Sequence, residues 1–310
     1  MLNSPKVHLS DEVKEAIATR APIVALESAI ITHGLPHPLN ADTAVAVEEL
    51  VRSSGAIPAT IAIIEGKLRA GLSKEEIARL AAATDVAKAS RRDLAALIVK
   101  RATAGTTVAA TMFIAANAGI RIFATGGIGG VHRGAETTFD ISADLAELAR
   151  TPVAVVSAGV KSILDIPKTA ELLETLSVPV IGYRASDFPA FFSRASGIRI
   201  DHRFDSVEEI ARVIAQHWSV GGNGGLMIAN PIPAADAIDG KSIEAAIERA
   251  LADARARGIS QKEVTPFLLS RVVDITGGQS LKANIKLISH NAKVAAEIAV
   301  AYENVMQSKK

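Results

Sequence analysis

Between Thr125 and Lys161 the chain places several kinds of reactive or ligand-binding group within 37 residues. The glycine-rich TGGIGGVHRG offers exposed backbone amides, His132 and Arg133; Asp140, Asp144 and Lys161 follow. Lys161 comes directly after VAVVSAG, an apolar run that reads as a buried parallel strand leaving the sheet. Ligands of open α/β sheets bind at such strand ends. A lysine held there among apolar neighbours is desolvated, which disfavours its ammonium form and leaves more free amine to attack a carbonyl. Lys161 is therefore the candidate Schiff-base nucleophile.

Other groups could complete such a site. Glu27 follows the short strand Pro22 to Leu26, where a carboxyl can serve as acid or base, or stand as a solvated loop residue. Lys88, Arg91 and Arg92 in DVAKASRRDL could hold a phosphate or form a solvated basic turn. Thr106 or Thr107 opens a buried helix, as an anion contact or as a cap. Asp140 and Asp144 straddle Ser142 at the start of a helix running to Ala149. Their oxygens suit magnesium or manganese; alternatively Asp140 caps the helix and Asp144 complements its dipole. Asn284 could reach the site from the last helix. His33 and His37 have zinc-pair spacing, but Gly34, Pro36 and Pro38 argue against a helix that would align them. The glycine loop matches neither the phosphate-binding loop of NTPases nor the dinucleotide fingerprint.

The elements that must position these residues alternate between strand and helix, the pattern of an α/β fold in one domain over residues 1–310. Strands are expected at Ile57 to Ile64, Val153 to Ser157, VPVIGY and LMIAN, and Arg121 to Gly127 reads as a strand and glycine turn. Helices are expected after Ser10, Ser73 (with Glu76 as a capping box), Ser206 and Ser242, and on either side of Gly277 and Gly278. Phe188, Phe191 and Phe192, in the hard-to-assign stretch 184–205, read as packing or interface residues rather than a substrate stack. With 34 basic and 33 acidic residues there is no electrostatic footprint for nucleic acid. The absence of cysteine excludes disulfides and thiolate chemistry. No run reaches the ~20 apolar residues of a membrane span, and the first residues lack a signal peptide's apolar core. A cytoplasmic homo-oligomer without membrane contact is the expectation.

Several stretches, in this order, resemble the pseudouridine-5'-phosphate glycosidase family, which also contains indigoidine synthase A-like proteins. They are ALESAIITHG, IPATIAII, KASRRDL, TTVAATM, FATGGIGGVHRGAETTFDISADL, SAGVKSILD, GGLMIANPIP, TPFLLSRVV and TGGQSLKANI. The similarity covers about Pro22 to Tyr302. It implies a three-layer α/β/α fold with a mixed, largely parallel sheet, a homotrimer, and a manganese-dependent enzyme. That enzyme reversibly converts pseudouridine 5'-phosphate and water to uracil and ribose 5-phosphate. The resemblance makes Glu27 the proton donor, Lys161 the nucleophile and Asp140 the metal ligand. Lys88, Val108, Ser142, Ala143 and Asp144 fall on substrate-binding positions, with His132 and Asn284 as phosphate contacts. Ala87 before Lys88 and Val160 before Lys161 depart from the family pattern in packing rather than chemistry. The kinase domain fused to some relatives is expected as a separate chain. A Schiff-base aldolase-like enzyme on another sugar phosphate and a non-catalytic sugar-phosphate-binding module are the rival readings.

Overall fold

A computed structural model describes residues 6–259 and 264–308. Its strands are β1 (Val7–Leu9), β2 (Ile23–Leu26), β3 (Ile57–Ile64), β4 (Lys67–Ala70), β5 (Ala87–Ala89), β6 (Ala104–Thr106), β7 (Ile122–Ala124), β8 (Ala154–Ser157), β9 (Val180–Tyr183), β10 (His202–Phe204) and β11 (Leu226–Ala229). They form a sheet ordered β1-β4-β3-β2-β7-β8-β11-β9-β10, extended where β6 pairs with β3 and β5 with β6. Among the described pairings only β3–β4 and β3–β6 are antiparallel. The length of β3 makes this mixture possible. Its first half, Ile57 to Thr60, lies parallel to β2, and its second half, Ile61 to Ile64, turns back against β4.

The sheet is mixed and mostly parallel, with helices on both faces. Right-handed crossovers place a helix on one face when the chain steps along the sheet and on the other when it steps back. Thus Leu39–Ser53, Val207–Ser219 and Gln279–Ser308 share one layer, and the last of these packs on β2, β7 and β8. Asp11–Thr19 and Val108–Asn117 cover β2 and β3 from the other side. Strands covered on both faces are apolar at every position, as IVAL in β2 and LMIA in β11 are, and all eight of these residues are buried. No helix among the described residues is long and apolar enough to cross a membrane.

Most boundaries follow the sequence signals. The Ser10 hydroxyl accepts from Val13 N at 3.2 Å, Ser73 and Glu76 form the capping box, and Ser206 caps the helix that follows it. The break at Gly277 and Gly278 separates Val264–Ile275 from Gln279–Ser308. Four expectations need correction. The basic turn and the loop before Val108 contain β5 and β6, three-residue strands too short to show periodicity. A π-helical turn, Ile30–Gly34, forms before the prolines that argued against helix. The helix expected from Ser242 begins at Gly240, because Asp239 accepts from Ser242 N at 2.9 Å. Asp140 caps nothing: the helix is Ala143–Leu148, and the Ser142 hydroxyl accepts from Asp144 N at 3.2 Å.

Two buried polar clusters tie the strand ends together. Ser28 donates to the Ile61 carbonyl at 2.6 Å and accepts from Thr106 N at 2.9 Å, joining the ends of β2 and β6 to β3. On the opposite face Asn291, 1% exposed, donates to the carbonyls of Thr125 at 2.7 Å and Gly126 at 3.2 Å. Its own carbonyl accepts from Asn230 Nδ2 at 2.9 Å. The long C-terminal helix thereby grips the start of the glycine loop. Asn291→Leu keeps the branched outline of the side chain and removes all three bonds, stranding a buried carbonyl and a buried amide. We expect it to lower the unfolding free energy by about 1–3 kcal/mol in urea titrations; an unchanged midpoint and slope would show the clamp to be idle.

Candidate active site

β2, β7 and β8 run parallel, so their carboxyl ends lie along one edge of the sheet. Glu27 follows β2, the loop from Thr125 follows β7, and Lys161 lies four residues beyond β8. They open into a cavity of about 950 Å³, a size suited to a nucleotide-like ligand. Glu27, Lys88, His132, Asp140, Ser142, Ala143, Asp144, Lys161 and Asn284 all line it. Val108 does not: its side chain is buried in the core, and neighbouring Thr107 reaches the wall instead.

The glycine loop and the segment carrying Lys161 run side by side. Ile128 N donates to Gly159 O at 3.0 Å, and Lys161 N to Ile128 O at 3.2 Å. Gly159 has φ +88°, and a β-carbon there would lie 1.9 Å from the Pro189 carbonyl oxygen. Only glycine can make this turn, two residues before the lysine. The Lys161 side chain is half-buried and forms no ion pair among the described residues.

Glu27 faces the cavity with protein around its remaining sides. Burial raises its pKa above the ordinary carboxylate range. Lys161 opposes that rise, followed by the Thr125 hydroxyl, which donates a hydrogen bond to Glu27, and by Lys88; the nearby Asp144 charge adds to it. His132 is shifted in the direction of neutrality. Burial lowers its pKa, Asp140 resists, and Lys161 and Lys88 lower it further. His132 N donates to Asp140 O at 3.0 Å, while Nδ1 stands 3.7 Å from the Asp140 carboxylate.

Asp144 is buried, and both of its oxygens serve the scaffold. Oδ1 accepts from Ala109 N at 2.9 Å, at the start of Val108–Asn117, and Oδ2 from Gly129 N at 2.8 Å. A β-carbon on Gly129 would meet Ser142 Oγ at 2.2 Å, so glycine lets the loop lie against this pair. The three cations of the basic turn separate. Lys88 and Arg92 line the cavity, whereas Arg91 turns away to pair with buried Glu147 at 3.0 Å and to cover the Phe113 ring. Arg133 is engaged as well, with Glu244, Glu248 and the Ser162 carbonyl.

Asp140 is 45% exposed at its side chain, and no group of three or more His, Asp or Glu residues able to hold a metal occurs among the described residues. Two residues escaped the sequence reading as site residues, one on the cavity wall and one bonded to Glu27. His33, set aside with the zinc pair, lies on the wall, where its Nδ1 is 2.6 Å from the Thr32 hydroxyl. Burial, then Lys88, push its pKa down. Thr125 marked the start of the loop, but nothing in its neighbours in sequence announces a contact with Glu27. Phe188, Phe191 and Phe192 are buried as expected, and Phe191 also closes the cavity behind Gly127.

Comparison with known proteins converges on one family. Residues 12–301 match the family described as indigoidine synthase A like protein. A pseudouridine-5'-phosphate glycosidase of Sorangium cellulosum is 60% identical over 96% of this chain and 95% of its own. One of Escherichia coli is 55% identical over 97% of each chain. Among solved structures, the prealnumycin C-glycosynthase AlnA in complex with ribulose 5-phosphate superposes with a TM-score of 0.91 at 42% identity, covering 98% of this chain and 99% of that one. An indigoidine synthase A-like protein of Thermotoga maritima gives 0.88 at 36% identity, covering 98% of each. The chain belongs to the indigoidine synthase A-like family, the family of the pseudouridine-5'-phosphate glycosidases.

Proposed function

We propose that this chain is a pseudouridine-5'-phosphate glycosidase, an enzyme that reversibly cleaves pseudouridine 5'-phosphate with water into uracil and ribose 5-phosphate. The observation that carries the reading is the pairing of Lys161, free of ion pairs among the described residues, with the enclosed carboxyl of Glu27 in one cavity. The names of the close relatives and the C-glycosynthase neighbour with its bound sugar phosphate support it.

A C-nucleoside lacks the glycosidic heteroatom that two-carboxylate glycosidases protonate, so acid alone does not release its base. The carbon–carbon bond needs an electron source at C1'. In the proposed course the Lys161 amine bonds to C1' as the bond from C1' to the ring oxygen breaks; the nitrogen gives up a proton, the departing oxygen takes one up as a hydroxyl, and the ribose is open. The nitrogen lone pair then forms a C1'=N iminium as the bond from C1' to uracil C5 breaks, and Glu27 supplies the proton that C5 takes up. Water adds to the iminium, returns a proton toward Glu27, and frees ribose 5-phosphate and the amine. Lys88, His132 and Asn284, all on the cavity wall, hold the phosphate end.

Of the residues present, Asp140 fits a divalent cation held by one protein oxygen and waters, a mode that magnesium and manganese accept. Bound there, manganese would polarise ligand oxygens. We read the remaining features as a cytoplasmic homotrimer fed by a kinase on a separate chain. Exposed Phe139 and Ile141 beside Asp140 give a second copy an apolar surface to cover, and a single-chain mass in sedimentation would remove that part.

Incubation with pseudouridine 5'-phosphate should release uracil and ribose 5-phosphate in equal amounts, and borohydride should fix the sugar on Lys161. Uracil release by Lys161→Ala at the parent rate would refute the covalent step. Glu27→Gln should cost about 10²–10⁴-fold in kcat. The Glu27 pKa is raised, so the required acid form persists above the ordinary carboxylate range and activity falls as pH rises through the raised value. Stability contributed by the neutral buried carboxyl declines over the same window. Persistence of that alkaline limb in Glu27→Gln would assign it elsewhere. For the metal, Asp140→Asn should weaken Mn²⁺ binding measured by electron paramagnetic resonance at least about tenfold; equal affinity would move the ion to another site.

A further inference from the structure

A second polar cavity, of about 310 Å³, lies outside the catalytic one at the ends of β9 and β11. Tyr183 ends β9 and Arg184 follows it; Asn230 follows β11. Arg194 enters from the segment between β9 and β10, and His290 and Lys293 from the C-terminal helix. None of these residues has a part in the reaction proposed above.

The cavity is constructed, because its two guanidiniums are held by backbone carbonyls before any ligand arrives. Arg194 Nη1 donates to the Ile232 carbonyl at 2.6 Å. Arg184 Nε donates to the Asp205 carbonyl at 3.0 Å while its guanidinium lies 4.9 Å from the centre of the Tyr183 ring. Each guanidinium keeps further N–H groups beyond the one so used. Asn230, 2% exposed, forms the floor and is held by Asn291. Facing carboxylates are outnumbered: Glu297 stands 3.8 Å from Lys293, and Asp236 acts on His290 from the side, against Arg184, Arg194 and Lys293. Fixed guanidiniums from separate segments, converging at strand ends, match the tetrahedral oxygens of a phosphate.

We propose that this cavity is a second anion site, taking a phosphate group as free phosphate or as a small phosphate monoester. The Asn230–Asn291 pair joins its floor to the carbonyl of Gly126, a residue that lines the catalytic cavity, so its ligand would sit one hydrogen-bonded pair away from the wall of the active site.

The test titrates inorganic phosphate into the full-length Lys88→Met chain by calorimetry, which weakens the catalytic phosphate contact. Saturable binding should persist there and should weaken at least about tenfold when Arg184→Gln and Arg194→Gln are added, the loss expected for charged hydrogen bonds. Lys293→Met alone, an exposed substitution that leaves the fold intact, should weaken it severalfold. Glycerol 3-phosphate, which has no carbonyl for Lys161, separates the two sources: tighter binding than phosphate identifies a monoester, equal binding identifies phosphate itself. In crystals, tungstate should give an anomalous peak between Arg184, Arg194 and His290. Equal affinity with and without the arginines overturns the proposal, as does an absence of saturable binding. A crystal peak without solution binding would mean an adventitious ion only and overturns it too.

Discussion

A carboxyl group enclosed by protein must either keep its proton or find a cation, and Glu27 stands between the two outcomes. Burial favours the proton, whereas Lys161, the Thr125 hydroxyl and Lys88 favour the charge. The proposed reaction depends on that balance. The cavity brings acid and amine together by placing Glu27 and Lys161 beyond the ends of different strands, along a single edge.

That arrangement follows from the sheet. β2, β7 and β8 are four, three and four residues long and buried throughout, so side chains able to do chemistry are delayed until the strands end. Precision beyond the strand ends comes from buried hydrogen bonds. Ser28 joins β2, β3 and β6; Asp144 binds the glycine loop to a helix start; Asn291 holds the same loop from the opposite face. Each satisfies backbone groups that would otherwise be buried without partners, so each supports the fold while aiming the site.

Much of the site could be read from the chain. Glu27 and Lys161 each follow an apolar run, and a polar group at such a boundary is pushed to the strand end. The glycine loop failed the nucleotide templates, and in the structure Gly129 instead admits Ser142 and Asp144. Asn291 left a weaker signal: with Asn284 and Ile288 it falls on one helical face at spacings of four and three residues. Its bonds to the glycine loop show only in the packed structure. Arg91 left none, because its partner Glu147 lies 56 residues away.

The local patterns of this sequence determined where most of its strands, helices and caps form, since apolar periodicity and capping side chains act over a few residues. Tertiary structure decided the rest. It turned Arg91 to Glu147, brought Thr125 to Glu27 and gave both oxygens of Asp144 to backbone amides. It also gathered Arg184, Arg194 and Lys293 around a second cavity. These contacts join residues far apart in the chain, and burial and charge compensation choose such partners only after the layers have packed.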